Sequence, residues 1–160
     1  MSVVFNQNAM LNALEGFHRE VAMQVCADYP EWEVIASVDQ SDGAAIFVLS
    51  VTPPNCEIAY PLRIDTSNDE VTVSFDAYHA HFYDYRDGTD FDAATFISGI
   101  VSGVYVVVSY WQDDRWRGST FVEGGNIPSD NERHPDANRI RVRSWSGELD
   151  RDIPCISKSP

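Results

Sequence analysis

His79 and His81 stand two residues apart in the run Asp76-Ala77-Tyr78-His79-Ala80-His81. On a strand, alternate side chains share a face, so both rings would point the same way together with Phe75 and Ala77, and Asp76 would point away. An H-x-H pair so arranged can grip zinc or iron, which makes a metal-dependent enzyme one reading of the chain. Such a centre needs a third ligand that the spacing does not supply, and Asp84 or Asp87 of the next loop would have to provide it. Two histidines hydrogen-bonded on a sheet surface, or forming part of a binding face, ask less of the fold. No metal or other cofactor is therefore expected.

Other catalytic signatures are missing from the sequence. It holds no G-x-S-x-G, no phosphate-binding loop, no dinucleotide glycine fingerprint and no H-E-x-x-H. Cys26 falls among apolar residues of an expected helix and Cys56 follows Pro53-Pro54-Asn55; neither neighbours a histidine in sequence. Arg139, Arg141 and Arg143 alternate with Ile140 and Val142, giving a strand with one basic and one buried face. With Trp145 nearby, such a face could read RNA, but an anionic chain suppresses phosphate affinity. Pairing of these arginines with Asp and Glu across strands is the expected use.

Aromatic and acidic residues cluster twice. Tyr83, Asp84, Tyr85 and Asp87 lie with Arg86, Asp90 and Asp92 in one polar loop. Trp111, Asp113, Asp114 and Trp116 lie with Tyr110 and Arg115 at a hairpin tip. Protein interfaces favour Tyr, Trp and Arg as anchors and use charges to steer the approach, so these residues are the candidate partner-binding set. The alternative for Trp111 and Trp116 is a place in the core of the hairpin.

The elements that must hold these residues follow from periodicity. Met10, Leu14, Phe17, Val21 and Val25 recur at helical spacing and predict a helix over 8–29, ended by Pro30. Alternation over 32–39, a turn at Ser41-Asp42-Gly43 and a return strand over 45–52 predict a hairpin. Strands follow over 58–64 and from Val71 onward, the latter able to run to Phe82. Thr89 or Asp90 can cap a helix over 91–102 that Gly103 stops. The β-branched run 104–111 reads as a central strand, 116–123 as its hairpin partner, 124–138 as a long loop and 139–145 as a further strand. A short final strand is expected to turn out of Ser146-Gly147-Glu148, with a frayed tail after Cys155. The expected fold is α+β: one domain over 1–160, a mostly antiparallel meandering sheet of about six to eight strands, an N-terminal helix and a second helix mid-chain.

Composition narrows the function classes. The 160 residues suffice for a core without disulfide or metal support. No apolar run is long enough to span a bilayer, and the first eight residues lack the basic start of a secretory signal. Three scattered cysteines suit a reducing compartment, so a cytoplasmic location is expected. The net charge of −14 is unevenly spread. Residues 1–92 carry sixteen acids against Arg19, Arg63 and Arg86, whereas residues 93–160 carry nine acids against eight bases. Such a chain repels nucleic acid and anionic lipid and attracts basic proteins, although acidity also serves solubility alone.

The runs VTVSFDAYHAHF (71–82), VVVSYWQDDRWRGSTFVE (106–123) and RIRVRSWSGELDRDI (139–153) resemble a pattern in immunity proteins of bacterial polymorphic-toxin and contact-dependent inhibition systems. The resemblance covers residues 71–153 and implies a non-enzymatic cytosolic inhibitor that covers the active site of one cognate toxin domain. Asp76, His79, His81, Trp111, Trp116 and Trp145 match the pattern without an assigned role. A small-ligand sensor that uses the sheet face opposite the helices is the remaining reading.

Overall fold

The computed structural model describes residues 7–40 and 43–158. Ser41 and Asp42 of the expected turn, the first six residues and the last two of the expected frayed tail lie outside the described residues. The fold is α+β, with N-terminal helices, a mid-chain helix and two antiparallel sheets in place of a single meander. By their contacts the residues fall into two compact units. One takes the residues up to Thr52, Pro61–Ser74 and His79–Thr95; the other takes Pro53–Tyr60, Phe75–Tyr78 and the residues from Phe96 onward.

In the first unit the expected single helix is broken into α1 (Gln7–Ala13) and α2 (Gly16–Asp28). Gly16 adopts φ +48, a left-handed conformation that ends one helix and starts the next. The apolar spacing survives the break, because Met10, Leu14, Val21 and Val25 are all buried. Pro30 opens a 3-10 helix, Pro30–Ile35, where alternation predicts a strand. Trp32 is buried there, stacked on Tyr29 with ring centroids 3.9 Å apart, and only Ser37–Asp39 forms β1.

Strands β2 (Ile46–Val51), β3 (Leu62–Ser67), β4 (Glu70–Phe75) and β5 (Tyr78–Phe82) continue the sheet in sequence order from β1. Leu62 and Ile64 on β3 and Val71 and Val73 on β4 alternate inward, and α2 packs on β2 and β3. Each such buried aliphatic side chain contributes about 1.5–3 kcal/mol. The strand expected to run on to Phe82 stops at Phe75, because Asp76 takes φ +49 and turns the chain back as β5. His79 and His81 thus lie on an edge strand, and Phe75 and Ala77 are not on it.

Helix α3 is Ala93–Ser102. Its cap is Asp92, not Thr89 or Asp90: Asp92 Oδ1 accepts from the Thr95 amide and hydroxyl, both at 2.8 Å. Gly103 ends it with φ +79, as expected.

The second unit holds β6 (Tyr105–Gln112), β7 (Arg115–Glu123), β8 (Arg139–Arg143) and β9 (Arg151–Pro154), ordered β7-β6-β8-β9. Strand β6 is central, as its β-branched run predicts. On one sheet face Val106, Val108, Tyr110, Ile140 and Val142 form a core with Ala137, which Val122, Ile127, Leu149, Ile153 and Cys155 flank. Residues 124–138 cover part of this face, and buried Asn131 pins them. Its amide donates to Pro135 O, Ala137 O and Ile156 O at 2.7–3.1 Å. Buried Asn55 ties the 53–60 segment to the same unit by donating to Ser144 O and Asp150 Oδ2, each at 2.8 Å.

The cap gives a direct test. Asp92→Ala is expected to lower stability by about 1 kcal/mol, with Asp92→Asn retaining most of it, measured by urea denaturation.

Candidate partner-binding site

The loop over 83–92 belongs to the first unit and is shaped by its own acids. Tyr83 is 88% exposed. Asp84 Oδ1 accepts from the Tyr85 amide at 2.7 Å, which turns the next side chain inward. Tyr85 is completely buried, which corrects its assignment to a contact surface. Its hydroxyl donates to Asp28 Oδ2 at 2.7 Å, and Arg86 donates to the same oxygen while its guanidinium lies 5.4 Å from the Tyr85 ring. Burial, and then the hydrogen bond to Asp28, push the Tyr85 phenol far above its ordinary range.

Asp87 Oδ1 accepts from Thr89 N and Thr89 Oγ1, and these bonds hold its carboxyl below the usual range. Asp87 is therefore a turn-former that still presents charge. Asp90 is exposed, as is Phe91 at 41%. This loop offers Tyr83, Phe91, Asp87 and Asp90 to solvent.

His79 and His81 do share a face, with ring centroids 5.1 Å apart. His81 Nδ1 lies 2.6 Å from Glu70 Oε1 and 3.1 Å from Thr72 Oγ1, so neighbouring strand residues engage that ring. Among the described residues no three His, Cys, Asp or Glu side chains gather as a metal site would require.

The second candidate cluster lies wholly in the second unit. The β6–β7 ladder runs in regular register to Tyr110↔Gly118, then resumes at Trp111↔Trp116. Arg117 is the extra residue of this bulge, and it pairs with Asp136. Directly opposed residues share a sheet face, so Trp111 and Trp116 come to the same side. Arg139 on β8 stands opposite Trp111, and Pro154 on β9 stands opposite Arg139, so the row crosses all four strands.

The two tryptophans divide the roles left open by the sequence. Trp111 is half-buried, donates from Nε1 to Ser109 Oγ at 2.8 Å, and carries the Arg139 guanidinium 5.8 Å from its ring. Trp116 is 53% exposed. The two aspartates divide in the same way. Asp113 holds the tip turn at φ +53, exchanging hydrogen bonds of 3.0 and 2.9 Å with the Asn138 side chain. Asp114 is exposed and makes no hydrogen bond or ion pair among the described residues. Beside the tip, Asp113, Asp114, Asn138, Arg139, Asp152 and Pro154 line an open cleft of about 510 Å³.

The arginine row behaves largely as expected. Ile140 and Val142 are buried, Arg141 donates to Glu57 O at 2.7 Å and lies 3.7 Å from Asp76, and Arg143 reaches Asp152 at 3.2 Å. Arg139 takes the Trp111 ring instead of an acid. Nothing in the sequence marks Asn138, Arg139 and Asp152 as neighbours of the tip, because strand pairing brings them there.

Comparison of the chain with protein families, with curated proteins and with solved structures returns no match.

Tyr85 yields a pH-dependent test. Its folded pKa is raised, so the folded chain keeps the proton where the unfolded chain loses it, above about pH 10. Its contribution is full below that pH and falls as pH rises. Tyr85→Phe is expected to cost about 1.5 kcal/mol near neutrality. It should also flatten the alkaline loss of stability, read by denaturation at pH values on either side of about 10.

Proposed function

We propose that the chain is an acidic binding protein of the immunity type, acting in the cytosol, which neutralises a cognate toxin domain with a basic surface by covering its active site. The observation that carries this reading is the β6–β7 tip. There Asp114, whose carboxylate has no partner among the described residues, lines a cleft with Asp113, Arg139 and Asp152, and two residues further along the same hairpin the ring of Trp116 is exposed. An aromatic anchor beside desolvatable charge is the usual make-up of an energetic centre in an interface. A basic side chain of the partner would find carboxylates on several sides of this cleft.

The wider field supports the same partner. The residues of the first unit carry fourteen acids against Arg19, Arg63 and Arg86, a balance of −11 out of −14 for the chain. Within that unit Tyr83, Asp87 and Asp90 present the same pairing of aromatic and acid. Such a field speeds association with a basic protein and weakens with added salt. The cytosolic assignment rests on three free cysteines and on the lack, among the described residues, of any helix long and apolar enough to cross a membrane.

The test is co-purification with the product of the gene immediately upstream, followed by association kinetics. Asp114→Lys is expected to slow association roughly tenfold at low salt, and Trp116→Ala to weaken the complex by about 2 kcal/mol through faster dissociation. Failure to bind any neighbouring gene product, together with no protection of cells from its toxicity, would overturn the proposal.

A further inference from the structure

The covered face of the second unit holds a cavity distinct from the tip cleft. It measures about 350 Å³ and is walled by Tyr110, Thr120 and Val122 from the sheet and by residues of the 124–138 segment, among them Pro128, Asp130, Glu132 and Arg133. That volume is at the small end of the ligand-site range of about 300–1,000 Å³.

Several polar side chains of its wall have no protein partner among the described residues and are left to solvent. Tyr110 is only 2% exposed, yet its hydroxyl has no hydrogen-bond partner among the described residues. Its ring packs against His134, with centroids 4.6 Å apart. That contact needs Gly118, where an added Cβ would lie 2.4 Å from His134 Cε1. Arg133 makes no ion pair among the described residues, although acids flank it in sequence. It is close enough to Tyr110 to oppose the rise that burial imposes on the phenol, and Asp130 adds to that rise. Among the described residues the Glu132 side chain likewise has no partner, and Asp130 Oδ1 accepts only from the Glu132 amide, at 3.0 Å.

Tyr110, Arg133, Asp130 and Glu132 thus line one open space with an aliphatic edge at Val122 and Pro128. We propose that this cavity binds a small zwitterion of the α-amino-acid class. The Tyr110 hydroxyl and Arg133 hold the carboxylate, and Asp130 and Glu132 hold the ammonium. A molecule bearing only one of the two charges would leave the opposite set unpaired, so both are required for recognition. The site shares no residue with the Asp114–Trp116 tip, so it stands whether or not a protein partner is found there.

The test is a heteronuclear NMR titration of the whole chain with the individual protein amino acids, each to about 10 mM, with propionate and propylamine as single-charge probes. At least one amino acid should shift the amides of residues 120–133 saturably, with both single-charge probes roughly tenfold weaker. Arg133 is exposed and Tyr110→Phe keeps the packed ring, so Arg133→Gln and Tyr110→Phe should each retain the dispersed spectrum. Each should weaken binding roughly tenfold. The proposal is overturned if no amino acid moves those amides, if propionate or propylamine binds as well as the zwitterion, or if both variants bind unchanged.

Discussion

Arg117 is one residue more than the ladder between β6 and β7 can accommodate, and much of the second unit follows from how that excess is absorbed. A one-residue change of register exchanges the faces of every side chain beyond it. Up to the bulge Tyr110 faces Gly118, and the missing side chain there admits His134 against the phenol ring. Past the bulge Trp111 faces Trp116, on the other side of the sheet. Had the ladder stayed regular, Trp116 would stand opposite Gln112 and leave Trp111 without an aromatic neighbour. The pairing of Arg117 with Asp136 joins the bulged strand to the segment that covers the sheet, so the same residue bears on both faces.

Where a pattern is local, the sequence reports it faithfully. The alternation of β3 and β4, the apolar run of β6 and the stop at Gly103 could all be read in advance, since each depends on residues within a turn or two of one another. The misreadings have a common cause: periodicity records which side chains are buried and does not record the backbone path between them. Met10, Leu14, Val21 and Val25 keep helical spacing across a break at Gly16. Trp32 and Ala36 are buried as alternation predicts, but from a 3-10 helix and the residue after it, which turns Val34 between them out to solvent. Alternation also passes unbroken through Asp76, whose left-handed backbone makes a hairpin of one expected strand.

The binding residues were legible to a similar depth. Residue type identified both acidic and aromatic clusters, but could not tell the members that build the turn from those left for a partner. Tyr85 is buried because of Asp28, fifty-seven positions earlier, and Asp113 is held by Asn138, twenty-five positions later. Asp114 and Tyr83, chemically equal to them in sequence, lack such partners among the described residues and stay outside. Separation along the chain, not residue type, hides that distinction.

The hold of Asn131 on its loop has a consequence in time. One of its three acceptors is Ile156 O, and the neighbouring backbone bonds run from Cys155 N to Asn138 O and from Lys158 N to Pro135 O. The segment that roofs the sheet is thus fastened by residues made some twenty positions after it. During synthesis β6 and β7 can pair as soon as both have emerged, but their apolar face waits bare until the later stretch leaves the ribosome. That interval is when a chaperone, or a second nascent chain, has its best access to this half of the protein.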